Sequence, residues 1–404
     1  GPSFIVDTAC SSSGNALHSA FKSIRSGECE NAIVAGCNLT THPGATIQFF
    51  RYNSIFIQES NFLLQQYIFS LGVLSPDGVP RVFDEDANGY VRSEACTCLL
   101  LQKSKNAKRI YAQIINTKVN TDGFKKEGIT YPSSQMQEEL MTEMYKESNI
   151  DFSKLSYVEA HGTGTQVGDP EEANAIDRAL AKKCKKQLLV GSVKSNIGHT
   201  EPVSGLCSIV KVLIAMETGL IPPNINLKKV RKGLEGIEQN RMKIVTEATE
   251  LLGHDAIVAI NNFGFGGNNC HVILQRFKKH KIDGGLRKDD VPRLICVSGR
   301  TNEAVLKILN DVSNKNLDDE YIGLLHQLYK MNTPNHLYRG YVIVSKHSVV
   351  SEASKVVPSR RPHLHVFFGQ FVNNFRILGS YLKKFSIFEN IETRYVEILL
   401  VASY

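Results

Sequence analysis

Three side chains far apart in the chain share one local setting. Cys10 follows the apolar, β-prone run 4–9 and precedes Ser11, Ser12 and Ser13. His161 follows the run 155–160 and opens Gly162-Thr-Gly-Thr165, and His199 closes the loop Lys194-Ser-Asn-Ile-Gly-His199 after the run 188–193. Each time a predicted strand ends and a reactive group appears at once among small or glycine residues. In open α/β sheets ligands bind at the carboxyl ends of strands, so three such ends can converge on one pocket. A cysteine with two histidines suits acyl transfer through a thioester: the sulfur is acylated, and the imidazoles polarise a carbonyl or move a proton. Each residue alone also has a plain structural reading, since free cysteine is among the most buried residue types and a lone histidine is more often satisfied structure than catalyst.

The elements around these residues sharpen the picture. A helix is predicted over 11–25, with Gly27 as its C-cap. That places Cys10 at a helix N-terminus, where unpaired N–H groups and the helix dipole are expected to lower a thiol pKa. Lys194 either orients the imidazoles and keeps one neutral by charge repulsion, or is a solvated loop lysine. Glu201 either holds a histidine ring through its carboxylate or sits in the first turn of the next helix. The run Phe263-Gly-Phe-Gly-Gly267 would bring backbone close to a ligand. With the Cys10 N–H it could supply the two donors of an oxyanion hole.

Elsewhere the chain alternates. Strands are predicted over 32–36, 95–102, 110–119, 155–160, 188–193, 256–261 and 270–274, and helices over 134–148, 170–180 and 202–216. Asp169 is read as an N-cap, with Pro170 at the first helical position. This alternation argues for a layered α/β core. A basic, Gly-containing stretch over 277–292 marks a boundary, and a small α/β module follows: strand 293–298, helices 302–312 and 320–331, strand 338–345.

Composition closes off other classes. The 404 residues carry a net charge of only +7, and no basic run is interleaved with aromatics, which argues against nucleic acid. The most apolar window, 55–74, holds Glu59, Asn61, Gln65 and Gln66 and is too polar for a membrane span. Nine scattered cysteines without a CxxC pair fit a reducing compartment, which points to the cytoplasm. Cys96 and Cys98, a CxC without partners at zinc spacing, are expected in the core. Dinucleotide fingerprints, a nucleophile-serine elbow, a zincin motif and a P-loop are all missing from the sequence.

Four segments, taken in order, resemble the β-ketoacyl synthase (condensing) domain of animal-type fatty acid synthases and related polyketide synthases. They are Asp7-Thr-Ala-Cys-Ser-Ser-Ser13, Glu159-Ala-His-Gly-Thr-Gly-Thr165, Lys194-Ser-Asn-Ile-Gly-His-Thr-Glu201 and Asn262-Phe-Gly-Phe-Gly-Gly-Asn268. The resemblance covers 1–276. The region 293–357 is similar to the linker domain of fatty acid synthases, and 362–404 poorly resembles the opening of an acyltransferase domain, without its glycine-rich loop or nucleophile serine.

The resemblance implies a thiolase-like fold with five α-β-α-β-α layers, and a homodimer. Cys10 would accept an acyl chain, and His161 and His199 would bind the malonyl thioester carbonyl and assist decarboxylation. Lys194 and Glu201 would support them, and the Cys10 and Phe265 amides would form the oxyanion hole, with Phe265 also an acyl gate. No bound metal or redox cofactor is implied for this step; the carrier is phosphopantetheine on a partner acyl carrier domain. Three features depart from the family pattern. The portion that normally precedes the nucleophile strand is expected to be missing, so the first half of the core is incomplete. Residues 52–70 look like an insertion, and Gly14-Asn15 replace apolar residues on the nucleophile helix, where glycine costs about 1 kcal/mol. A polyketide ketosynthase, or an inactive synthase keeping only a structural or dimerising role, are the alternatives.

Overall fold

The computed structural model describes residues 1–41, 46, 49, 72–107, 109–277, 291–314, 318–330, 333–345 and 348–356. Residues 52–70 and 362–404, where an insertion and an acyltransferase-like opening are expected, lie outside the described residues, as does most of 277–292. Contacts divide the chain into two units, Gly1–Ile282 and Asp283–Tyr404.

In the first unit, α1 (Ser12–Ser26) buries Gly14, Leu17, Phe21 and Ile24, a spacing of three and four that keeps them on one face. Gly27 ends it at φ 84, a left-handed cap that glycine adopts without strain. Strands β1 (Asn31–Asn38) and β2 (Ala95–Gln102) pair antiparallel as a separate two-stranded sheet. The main sheet is built from β3 (Ala112–Thr121), β4 (Leu155–Glu159), β5 (Leu188–Gly191), β7 (Met242–Ile244), β9 (Ile257–Phe263) and β10 (Asn268–Arg276), in the order β3-β10-β9-β4-β5-β7. Between them in the chain, β6 (Leu220–Ile221) and β8 (Thr249–Glu250) form a short ribbon of their own. The β3–β10–β9 pairings are antiparallel, whereas β9, β4, β5 and β7 run parallel.

The central strands alternate their side chains between two apolar cores. Val258 and Ile260 pack with Leu17, Leu206 and Val212, while Ile257 and Ala259 pack with Met141, Met144 and Ile176. Being buried on both faces, β9 is apolar over 257–260 and at Phe263, and its two asparagines, Asn261 and Asn262, are hydrogen-bonded. Helices α2 (Ser134–Ser148) and α3 (Gly168–Ala179) cover one face; α1 and α5 (Ser204–Thr218) cover the other. Two single-turn helices, α4 (Lys194–Ile197) and α6 (Glu235–Glu238), lie in connections. Because α1 also packs on β1, and α5 on β2, the layers run β-α-β-α. Four of the five expected layers are therefore found among the described residues. The second unit is a three-stranded antiparallel sheet, β11 (Arg293–Gly299), β12 (Tyr338–Ser345) and β13 (Ser348–Val356), with α7 (Asn302–Asn314) and α8 (Asp319–Lys330). Val305, Leu309, Ile322 and Leu325 close its core against Ile295, Val297 and Val342.

Several expectations need correction. Residues 4–9 form no strand; Phe4 and Ile5 are exposed, and only a Thr8–Cys10 bridge is present, because no strand among the described residues offers hydrogen bonds beside them. Cys96 and Cys98 are exposed rather than in the core. Alternation along β2 turns them, with Leu100, onto the face of β1–β2 that points away from α1 and α5. Asp169 is not an N-cap: α3 starts at Gly168, and the buried carboxylate accepts from the N–H groups of Phe83, Thr163 and Gly164 instead.

Gly14 has a steric reason. A Cβ there would stand 2.7 Å from Asn262 Oδ1 and 3.0 Å from the Cys270 side chain. Overpacking costs about 1–3 kcal/mol, against the ~1 kcal/mol that alanine gains in a helix. Gly14→Ala should therefore lower the urea midpoint of the first unit, with an unchanged denaturant slope, although propensity alone would raise it.

Candidate active site

Parallel pairing of β9, β4 and β5 puts their carboxyl ends at one edge of the sheet. His161 lies two residues beyond β4, α4 and His199 follow β5, and the turn 264–267 leaves β9. The fourth contribution is an elbow, not a strand end. Asp7 Oδ1 accepts from the Ala9 N–H at 3.1 Å, Ser12 Oγ takes the Thr8 N–H at 2.9 Å and donates to the Ala9 carbonyl at 2.5 Å. These bonds hold Ala9 at φ 55, in the left-handed region that costs a non-glycine residue about 1–2 kcal/mol. The Cys10 carbonyl is pinned by Asn262 Nδ2 at 2.8 Å and Ser204 Oγ at 3.0 Å. Gly264 lets the turn reach the elbow, since a Cβ would stand 2.6 Å from both Ser11 Oγ and the Thr8 carbonyl oxygen.

Cys10, His161, His199 and Phe265 line one cavity of about 610 Å³. The N–H groups of Phe265 and of Cys10 itself donate toward the sulfur. They and the Lys194 ammonium favour a thiolate, but burial outweighs them and pushes the thiol up to about 11. The expected depression is thus reversed: loss of hydration, with the Glu201 carboxylate adding to it, outweighs the Lys194 charge and the two amides.

Lys194 is fully buried and donates to the His161 carbonyl at 2.6 Å, with its Nζ 3.4 Å from His161 Nδ1. The carboxylates of Glu159 and Glu172 favour its charge against burial. Glu159 is itself paired with Lys211 at 2.7 Å and accepts from the Val193 N–H, fixing the start of the loop. Glu172 takes the N–H groups of His161 and Gly162, both at 2.7 Å, which sets the backbone beneath the first imidazole. Burial, then the Lys194 charge, hold both imidazoles well below the usual histidine range, so both are neutral at pH 7. Their rings stand 5.5 Å apart and nearly perpendicular.

A backbone N–H only donates, so the bond from the Glu201 N–H to His199 Nδ1, 2.9 Å, leaves the His199 proton on Nε2. An ammonium at Nδ1 of His161 selects the same tautomer there. The result is two neutral imidazoles, each able to offer an Nε2–H donor. The Glu201 carboxylate does not hold a ring: it is bound by Arg92, Nε to Oε1 at 2.6 Å and Nη2 to Oε2 at 3.0 Å, and its amide does the work. Arg92 escaped the sequence reading because the loop 83–94 carries only turn signals. Tyr90 and Phe49 escaped it too. Tyr90 packs edge-on against His199 at 5.1 Å, and Phe49 bridges Tyr90 and Phe265 at 6.4 and 6.3 Å. Among the described residues, no group of His, Cys, Asp or Glu could hold a metal, and no helix is long and apolar enough to cross a membrane.

Comparison with known proteins adds an independent line. Residues 1–62 match the N-terminal domain of β-ketoacyl synthases, 111–228 the C-terminal domain, and 231–343 a ketoacyl-synthetase C-terminal extension. The chain is 46% identical over 220 residues to a fatty acid synthase of Anser anser anser, covering 54% of this chain and 57% of that protein. It is 44% identical over 288 residues to the compactin diketide synthase of Penicillium citrinum, 70% of this chain and 10% of that one. It therefore spans little more than half of the one relative and a tenth of the other. Among solved structures, a ketosynthase from module 6 of the bacillaene synthase of Bacillus subtilis superimposes with a TM-score of 0.67 at 29% identity, covering 85% of this chain and 58% of that chain. The fold is accordingly thiolase-like.

The electrostatics make a direct prediction. Alkylation of Cys10 by iodoacetamide should stay slow at pH 7 and accelerate as pH approaches 11, while the exposed Cys37, Cys96 and Cys98 react first. Lys194→Met removes the cation that favours the thiolate and opposes imidazolium, so the Cys10 profile should move to still higher pH and His161 should protonate more readily. Mass-spectrometric labelling and histidine NMR titration read the two effects; an unmoved Cys10 profile would contradict the assigned role of Lys194.

Proposed function

The chain belongs to the β-ketoacyl synthase family, and from that premise we propose that it carries out decarboxylative condensation of thioesters. The observation that supports this most is the meeting of one sulfur, two neutral imidazoles and two sulfur-directed amides in a single cavity. In the first step Cys10 Sγ bonds to the acyl carbon of a carrier thioester, the carbon–sulfur bond to the carrier breaks, and the Cys10 proton ends on the released carrier thiol. In the second, a malonyl thioester places its carbonyl oxygen at the Nε2–H groups of His161 and His199. Loss of carbon dioxide leaves the electron pair as an enolate that these donors stabilise. Enolate carbon then attacks the Cys10 thioester, the tetrahedral oxyanion rests on the Cys10 and Phe265 amides, and the thiolate departs as a 3-ketoacyl carrier forms.

We infer further that the substrates arrive on the phosphopantetheine of a partner acyl carrier domain, and that the product belongs to fatty acid biosynthesis. Polyketide assembly uses the same condensation, and the polyketide synthase relatives fit it equally. A cytoplasmic homodimer is part of the same reading, and so is the domain division 1–276, 293–357 and 362–404.

Cys10→Ala should abolish the acyl-enzyme adduct seen by mass spectrometry. His199→Ala should leave acyl loading measurable while lowering malonyl decarboxylation by roughly 10²-fold or more, the usual effect of removing an oxyanion donor. Survival of both reactions in His199→Ala would overturn the assignment.

A further inference from the structure

Glu201 stands at φ 50, immediately before Pro202, in a backbone conformation that a non-glycine residue leaves unless something holds it. Its carboxylate is gripped by both edges of the Arg92 guanidinium, and the two side chains are only 12% and 16% exposed. Arg92 is braced in turn by Thr46 Oγ1 at 2.5 Å. The same segment grips the backbone of His199: the His199 N–H donates to the Val91 carbonyl at 2.6 Å and the Ser93 N–H donates to the His199 carbonyl at 2.9 Å. One short stretch thus holds the main chain of His199 and, through a side chain, the amide that faces its ring.

We propose that Arg92 is a positioning residue: by clamping Glu201 in the left-handed conformation it aims the Glu201 N–H at His199 Nδ1 and so keeps the His199 proton on Nε2, where a thioester carbonyl would accept it. This rests on the reading of His199 as a carbonyl donor. Without the clamp, Glu201 relaxes toward negative φ, its N–H swings away, and Nδ1 becomes free to carry a proton. The charged and titratable groups facing His199 are Lys194, His161, Cys10, Tyr90 and the Arg92–Glu201 pair itself. Of these, Arg92→Ala removes one side chain and leaves the other groups in place.

Arg92→Ala should slow malonyl decarboxylation on the order of tenfold, about 1.4 kcal/mol, with acyl loading of Cys10 retained. The acid limb of its pH profile should move to higher pH, because an unoccupied Nδ1 accepts a proton more readily. Arg92→Ala combined with Glu201→Gly should recover both the rate and the profile, since glycine holds a positive φ without a clamp while still donating its N–H. In ¹⁵N-histidine spectra, His199 should carry its proton on Nε2 in the natural chain and in the double variant, and lose that preference in Arg92→Ala. An unchanged tautomer in Arg92→Ala, or a double variant no better than the single one, would overturn the proposal. If Arg92→Ala does not fold, Glu201→Gly against Glu201→Ala decides: the glycine variant should keep the tautomer and the alanine variant lose it, and equal behaviour would count against the clamp. The spectra read the clamp even if the natural chain decarboxylates nothing, an outcome that would sink the functional reading instead.

Discussion

A single buried ammonium organises the site. Lys194 has no access to water, and burial lowers its pKa, while the nearby Glu159 and Glu172 carboxylates favour its charge and the His161 carbonyl accepts a hydrogen bond from it. Once in place it acts in two directions, opposing protonation of both imidazoles and favouring the thiolate of Cys10. The same cation therefore favours neutral imidazoles and an ionised sulfur at once. Were it absent, burial alone would leave the sulfur still harder to ionise, and the imidazoles would lose one of the two influences that keep them neutral.

The carboxylates that compensate Lys194 are also structural. Glu159 closes β4 and draws in the Val193 N–H and Lys211, with the Tyr157 hydroxyl donating to it at 2.7 Å. Glu172 binds consecutive amides at His161 and Gly162, together with the Asn261 side chain at 2.8 Å. Burial pushes Glu172 up to about 7 against these donors. Each carboxylate thus fixes one of the two loops that carry the imidazoles. Removing either would leave buried donors unsatisfied as well as an uncompensated lysine, so its effect would reach past the local bond.

Two left-handed backbone positions stand beside the candidate site. Ala9 and Glu201, two of the non-glycine residues at positive φ, flank the sulfur and the second imidazole respectively. Each is held by side chains contributed locally or from a distant loop: Asp7 and Ser12 at the elbow, Arg92 at Glu201. Asn262 ties the elbow to β9, reaching the Cys10 carbonyl with its amide nitrogen while its oxygen takes the Gly14 N–H. Glycines at 14, 205 and 264 permit these approaches, because a Cβ at any of them would meet Asn262 or the elbow within 3 Å.

Much of this could be read from the chain alone. Apolar runs placed the long helices of both units and most strands, but not the edge strands β7 and β13 or the two-residue β6 and β8, and position at a strand end or elbow marked Cys10, His161 and His199. Local periodicity was enough for that, since burial of one face leaves a period of 2 or 3.6 in the sequence. Strand 4–9 failed because a strand is not a local object: its hydrogen bonds need a neighbour, and the described residues supply none. Cys96 and Cys98 were misplaced for a related reason, as alternation gives two faces but does not say which one is covered. The order β9-β4-β5, the net rise of the Cys10 pKa and the Arg92 grip on Glu201 were decided only by the tertiary structure. Each includes a contact between groups far apart in the chain, β4 with β9, Cys10 with Lys194 and Arg92 with Glu201, whose distances and shared desolvation no linear spacing encodes.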